Sequence, residues 1–421
     1  MKLLVIGNGA REHALTWKIK QSSRVKEIYA VPGNAGTASF AHNINLSSTD
    51  IPSIVKKAVE LQIDLVVVGP EAPLAAGIVD KLQAEGIAVF GPTQAAAQLE
   101  SSKVFSRELM QKHGIPCAAG NHFSDYNKAK AYLENCSIPV VVKADGLAAG
   151  KGVIIANSME DAVKALDSIM QTREFGAAGD KVIIEECLFG KEVSLLAFTD
   201  GETAIPMVPA CDYKRVFDDD KGPNTGGMGS YSPPGFFGAD LTQQILNTVI
   251  QPTIDAMRKN GTPYKGVLYT GLIMTAKGPM VLEYNARFGD PETQAILPRL
   301  KTDIVDIMLA VVKGNLKTMD IQWSTDPCVG VVMASGGYPG KYPTAFPITV
   351  SDKIDKDISV FYAGAKMLDD GQIVTDGGRV LTVTATGKTM KEARDKVYRN
   401  IVHINFKDCH YRKDIGAREV N

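Results

Sequence analysis

Paired cysteines, blocks of like charge and long apolar runs are all missing from this 421-residue sequence, and each absence removes a class of protein. The six cysteines, Cys117, Cys136, Cys187, Cys211, Cys328 and Cys409, stand far apart, with no C-x-x-C pair and no histidines at zinc-site spacing. They read as buried thiols of a reducing compartment, not as a disulfide framework. The 46 basic and 47 acidic side chains are spread along the chain and leave a formal charge of −1, so nucleic acid and membrane surfaces lack an electrostatic footprint. Small-molecule partners are expected, with the chain a monomer or weak homodimer. No apolar run approaches bilayer-spanning length, and the first strand reaches Gly7 too early for a signal peptide, which predicts a cytoplasmic location. Internal repeats and low-complexity linkers are absent as well.

What is present is a multidomain pattern, with 45% hydrophobic residues in a chain too long for one core. Over 1–102, β-rich runs at 3–6, 27–31, 64–68 and 88–90 alternate with helical periods at 13–20, 54–61 and 74–85. That rhythm predicts an open parallel α/β domain, whose strand-end turns line one cleft. A region of two α+β units is expected over 103–320, with 123–192 as its smaller, lid-like part. It opens with a helix at 103–112 and carries strands at 139–144, 153–156, 182–186, 192–198, 204–208, 266–275 and 279–284, with helices at 160–170, 241–259 and 303–312. Residues 211–234 read as a long polar loop, and 321–421 as a small β-rich domain with strands at 329–333 and 379–384 and a helix at 391–400.

Four segments carry chemistry. Gly7-Asn8-Gly9-Ala10-Arg11-Glu12 begins like a dinucleotide fingerprint, but Glu12 replaces the third glycine and the second strand runs into Pro32-Gly33-Asn34 instead of a ribose-binding acid. A nicotinamide cofactor is disfavoured. Two readings remain for this segment: a plain strand-to-helix turn, or a phosphate site at a helix start assisted by Arg11 or His13. Next, Lys143 ends a strand and precedes a loop with Gly146, Gly150, Lys151 and Gly152, whose backbone N–H groups can close over phosphates; the bland alternative is a glycine-rich hairpin. Glu185 and Glu186 end a further strand and Glu192 begins another, a pattern equally suited to solvated edge charge. Finally, alternation places Glu283 and Asn285 on one face, with Arg287 extending the row. Two hard oxygen donors there suit Mg²⁺ against ATP phosphates, whereas a solvent-facing edge is the plain alternative.

In order and spacing, the lysine-glycine loop, Glu185-Glu186-Cys187-Leu188 and Glu283-Tyr284-Asn285 resemble the ATP-grasp superfamily, in which two α+β subdomains clamp ATP. Longer strings, including Pro32-Gly33-Asn34-Ala35-Gly36-Thr37, Pro223-Asn224-Thr225-Gly226-Gly227 and Asn285-Ala286-Arg287-Phe288-Gly289-Asp290-Pro291-Glu292-Thr293-Gln294, resemble the phosphoribosylamine–glycine ligase family over essentially the whole chain.

The resemblance implies that Lys103 and Lys143 contact ATP phosphates and that the loop with Gly146, Gly150, Lys151 and Gly152 closes over them. Glu185, Glu186 and Leu188 would then meet the adenine and Glu192 the ribose. It further implies Glu283 and Asn285 as ligands of Mg²⁺ or Mn²⁺, and Asn8, Gly9, Arg11, Glu71, Asp212, Asn224, Thr225 and Arg287 as the glycine and phosphoribosylamine pocket. Arg287, Lys143 and Asp212 are the implied catalytic groups. The strand Tyr269-Thr270-Gly271-Leu272 lacks the additional metal-binding acid of many superfamily members, which leaves the metal count open. The implied reaction proceeds through glycyl phosphate, with the ligase expected to stand alone, without further synthetase or transformylase domains. Another ATP-grasp ligase or carboxylase, an oxidoreductase and a non-catalytic nucleotide sensor are the competing readings.

Overall fold

The computed structural model describes residues 1–147 and 152–420. Its first sheet is wholly parallel, in the spatial order His42–Asn43, Glu27–Pro32, Lys2–Gly7, Leu65–Val68 and Ala88–Phe90. Both faces are covered: Leu3 and Val5 enter one hydrophobic core, Leu4 and Ile6 another. This is why the strands read as continuous apolar runs and not as alternating ones. The order of the strands reverses between Lys2–Gly7 and Leu65–Val68, so the crevice for a ligand opens where Gly7-Asn8-Gly9 and Gly69-Pro70-Glu71 meet.

A buried carboxylate explains the glycines there. The Gly9 N–H donates to Glu12 at 2.6 Å, capping the helix Ala10–Ile19 from within. Glu12 lies so close to the strand ends that a Cβ at Gly7 would come within 2.4 Å of it and one at Gly69 within 2.1 Å. The helical period over 74–85 is broken: Gly77, at φ +82°, separates Glu71–Ala75 from Ile78–Ala84.

The next sheet is antiparallel, in the order Gly120–Phe123, Val182–Glu186, Val140–Ala144, Val153–Ala156. It is covered by the helix Met159–Met170, whose Ala162, Ala165, Leu166 and Ile169 make the inward stripe. Ser158 starts this helix, its hydroxyl accepting the Asp161 N–H at 3.1 Å. The unit has a core of its own. A second antiparallel sheet, Ala204–Pro206, Lys191–Asp200, Lys265–Thr275 and Gly278–Asn285, stands opposite.

The third antiparallel sheet corrects the expected polar loop. Cys211–Asp212 and Gly229–Ser232 are strands of a five-stranded sheet with Cys328–Ala334, Arg379–Thr386 and Ser359–Tyr362. Between them, Arg215–Phe217 pairs with Lys221–Asn224 as a small hairpin. Ser230 and Ser232 disguise the strand Gly229–Ser232, since their hydroxyls are buried and donate to the Pro291 and Pro209 carbonyls. The six cysteines are free thiols, with Cys211 and Cys328 buried and the others half-buried. No helix among the described residues is long and apolar enough to cross a membrane.

Candidate active site

Two lysines and three carboxylates gather where the smaller sheet faces the strand Gly278–Asn285. Lys143, ending Val140–Ala144, pairs with Glu185 and donates to the Leu282 carbonyl at 3.3 Å. Glu185 also accepts from Arg107 at 2.7 Å, so its carboxylate is buried between two cations, against the reading of edge charge. Its carboxylate bridges Lys143 and Arg107. Lys103, at the start of the helix Lys103–Lys112, donates to the Gly146 carbonyl at 2.7 Å. Burial pushes the Lys103 amine below its ordinary range, and the Glu283 carboxylate opposes that shift. Asp145 ties this corner down by accepting the Val104 N–H at 3.1 Å and the Ser102 hydroxyl at 3.2 Å.

Along Gly278–Asn285 the register with Lys265–Thr275 slips by one residue: Glu283 faces Gly271 while Val281 faces Leu272. The bulge lets Val281 and Tyr284, three residues apart, both enter the core. Glu283 and Asn285 therefore share the open face, as alternation from Glu283 onward predicts. Gly271 supplies no side chain opposite Glu283, and a Cβ there would lie 3.3 Å from Glu283 Cγ. Arg287 continues the row, donating to Asn285 at 3.0 Å, Glu71 at 3.1 Å and Glu100 at 2.8 Å. Burial raises the Glu100 carboxyl above its usual range, with Arg287 pulling the other way. At Glu71 burial also acts upward, but Arg287 and then Arg11 outweigh it and the carboxyl lies below its ordinary range.

A third group surrounds Lys214. Its amine meets Asp212 at 2.8 Å and Glu192 at 3.1 Å. Burial disfavours its charge, yet Asp212, Tyr269 and Glu192 outweigh this and raise the amine above its ordinary range. Beside them Glu292 accepts the Tyr269 hydroxyl at 3.0 Å and the Ser194 hydroxyl at 3.1 Å. Burial, and next the Asp212 charge, push the Glu292 carboxyl up. Asn224 lies on the hairpin and Thr225 follows it, with the Lys214 carbonyl accepting both the Thr225 N–H at 2.7 Å and its hydroxyl at 2.8 Å.

At the crevice of the parallel sheet, Gly9 lies beside Asp290, which pairs with Arg379 at 3.1 Å. The Asn8 carbonyl accepts from Asn34 at 2.9 Å. Arg11 is turned inward onto Glu12 and the Phe288 carbonyl, and His13 accepts the Tyr362 N–H at 2.8 Å, so both serve internal contacts. At the other end of the site Glu186 is exposed and accepts the Ala119 N–H at 2.8 Å, with half-buried Leu188 two residues on. Gly146 and Gly152 flank the glycine loop; Gly150 and Lys151 lie outside the described residues.

Three family models match in sequence order: the phosphoribosylglycinamide synthetase N domain over 1–100, its ATP-grasp (A) domain over 101–293 and its C domain over 328–418. The phosphoribosylamine–glycine ligase of Caldanaerobacter subterraneus subsp. tengcongensis is 47% identical over 417 residues, spanning 99% of this chain and 100% of that protein. The chain belongs to the phosphoribosylamine–glycine ligase family. The trifunctional purine biosynthetic protein adenosine-3 of Gallus gallus is 51% identical over 424 residues, all of this chain but only 42% of that longer protein. The crystal structure of phosphoribosylamine–glycine ligase from Thermotoga maritima superposes with a TM-score of 0.87 at 32% identity, covering 98% of this chain and 100% of that one.

Within this phosphoribosylamine–glycine ligase fold, several polar residues at the site carry no local signal in the sequence. Arg107, Glu100, Arg379 and Tyr338 are isolated polar letters whose partners lie far along the chain, and Lys214 joins neighbouring Asp212 to the more distant Glu192. Arg379 donates to the Gly226 carbonyl at 2.7 Å, and the Tyr338 hydroxyl accepts the Gly226 N–H at 3.0 Å, so the C-terminal domain also borders the cleft. Glu292 sits inside the Asn285–Gln294 run, yet its burial with Tyr269 could not be read from spacing.

Proposed function

We propose that this chain joins glycine to 5-phosphoribosylamine at the expense of ATP, giving glycinamide ribonucleotide, ADP and phosphate, as a step of purine biosynthesis. The observation that carries this reading is the convergence of Lys103, Lys143, Glu283, Asn285 and Arg287 on one cleft in a chain matched from end to end by this ligase family.

A glycine carboxylate resists attack until one oxygen becomes a leaving group. Transfer of the γ-phosphoryl group from ATP to that oxygen forms glycyl phosphate and ADP. The amine nitrogen of phosphoribosylamine then bonds to the acyl carbon and loses a proton as the acyl C–O bond breaks and phosphate departs. Lys103 and Lys143 neutralise phosphate charge as it shifts.

Among the described residues no three His, Cys, Asp or Glu side chains converge on a metal position. Two oxygen donors, Glu283 and Asn285, on one open face would instead hold a hard divalent cation. Mg²⁺ or Mn²⁺ held there supplies further charge neutralisation to the phosphates.

The mixed charge of Asp212, Lys214 and Glu292 suits a zwitterion, its carboxylate toward Lys214 and its ammonium toward the two acids. Phosphoribosylamine is assigned to the crevice bordered by Asn8, Gly9, Glu71 and Arg287, with Asn224 and Thr225 across from it. An adenine lies beside Glu186 and Leu188, with its ribose toward Glu192. ADP release should require glycine and phosphoribosylamine together. Equal turnover with bicarbonate or with another amino acid would replace the substrate assignment.

A further inference from the structure

The hairpin after Asp212 is gripped by the far end of the chain. Arg412 is the largest of the fully buried side chains. Its guanidinium forks onto Asp414 at 2.7 and 2.6 Å, donates to Asp220 at 2.9 Å and to the Arg215 carbonyl at 3.0 Å, and lies 4.6 Å from the Tyr213 ring centre. Arg418 approaches the same ring at 5.3 Å and pairs with Asp220. The backbones are tied as well: the Lys413 N–H donates to Asp218 at 2.8 Å, the Asp219 N–H to Asp414 at 3.0 Å and the Gly416 N–H to the Tyr213 hydroxyl at 3.0 Å. His410 completes the set with a 2.8 Å contact from Nε2 to the Val216 carbonyl.

Lys214 stands between two of the gripped residues, Tyr213 and Arg215. Through its carbonyl it also carries Thr225, and Asn224 is paired with Arg215 across the hairpin. An isolated two-stranded hairpin is at best marginally stable in water, so something outside it must set where these groups stand. Arg412 cannot shed its charge, and a desolvated guanidinium with its acceptors removed is strongly disfavoured, so hairpin and C-terminal segment hold one arrangement together.

We propose that residues 410–418 are a positioning strap, acting through Arg412, that sets Lys214, Asn224 and Thr225 against the substrate side of the cleft and reaches the ATP side only through the Lys214–Glu192 pair. The substrate side is named on the ligase reading given above. Arg412 is a positioning residue and touches no substrate.

The test uses the full chain with Arg412→Lys, which keeps the charge but loses the fork and the planar stacking, and with Arg418→Ala. Steady-state kinetics should show KM for glycine or phosphoribosylamine raised about tenfold in Arg412→Lys, with KM for ATP within about twofold of the unaltered chain. Amide exchange without ligands, read by mass spectrometry, should quicken over 213–225 and not at Val140–Ala144. Arg418→Ala should move both readouts the same way by less; with its side chain 65% exposed, it decides alone if Arg412→Lys does not fold. Unchanged exchange over 213–225 in the folded variants, or KM for ATP rising as much as the others, overturns the strap. An unaltered chain that fails to join glycine to phosphoribosylamine overturns the ligase reading, and the exchange data still judge the strap.

Discussion

His13 shows at the scale of one residue how a site motif can serve the fold. Its string suggested help with a phosphate, but its ring is buried against Phe40, Phe361 and Tyr362, and Nδ1 must stay unprotonated to accept the Tyr362 N–H. A Cβ on Gly36 would fall 2.1 Å from that ring, which gives the glycine in the Pro32–Thr37 string a reason. Burial lowers the imidazole to about 4 from its ordinary 6.5. Between those values the unfolded chain binds a proton that the native chain does not, so stability is full above pH 6.5 and is lost as pH falls through about 4. At 1.4 kcal/mol per pH unit the loss amounts to about 3 kcal/mol. His13→Asn should lose stability at neutral pH through packing, and its deficit should shrink by about that amount on going from pH 6.5 to 4, followed by urea midpoints. A deficit independent of pH would show that His13 titrates normally.

Elements were legible where one physical rule governed them. The helix at 103–112 and the strands at 153–156 and 182–186 are found as expected, since caps, β-branched runs and glycine turns agree there. Where two rules compete, the sequence misled: serines in Gly229–Ser232 look like loop, but their hydroxyls are satisfied inside a sheet by backbone partners that local reading cannot see. In Gly278–Asn285 alternation identified the polar face but not the bulge that makes it compatible with burying Val281 and Tyr284. That geometry predicts two different mutant phenotypes. Glu283→Ala, removing a proposed metal oxygen, should lower kcat/KM at least about a hundredfold. Gly271→Val leaves the oxygen in place but crowds it from the opposite strand. It should raise the Mg²⁺ concentration for half-maximal turnover about tenfold, with kcat recovered at saturating metal. Normal turnover in Glu283→Ala would remove this residue from the metal site.

Across the whole molecule the hydrophobic cores join sheets from distant parts of the chain. One core runs from Leu4 and Ile6 of the parallel sheet through Leu268 and Leu272 to Val331 and Val383 of the C-terminal sheet, and a second joins Leu3 to Phe198, Ile304 and Phe361. By contrast, Val140, Val142, Leu166 and Ile184 belong to a core confined to the smaller α+β unit. Its ties across the cleft are polar, such as Lys103 to the Gly146 carbonyl, Arg107 to Glu185 and Lys143 to the Leu282 carbonyl. Separate apolar cores joined by a few polar contacts open separately, because opening one exposes little of the other. Amide exchange in increasing urea should therefore release Val140–Ala144 and Val182–Glu186 first. Lys2–Gly7, Lys265–Thr275 and Cys328–Ala334 should follow in one later transition, despite lying in three family domains. A nucleotide binding both sides of the cleft must stabilise the weaker unit, by about 2.7 kcal/mol at a hundredfold excess over its Kd. Adding ATP with Mg²⁺ should accordingly bring the two transitions together. Separate transitions for Lys2–Gly7 and Cys328–Ala334 would mean that the shared core does not couple the outer domains, and an unchanged gap with ATP would mean that nucleotide does not bridge the cleft.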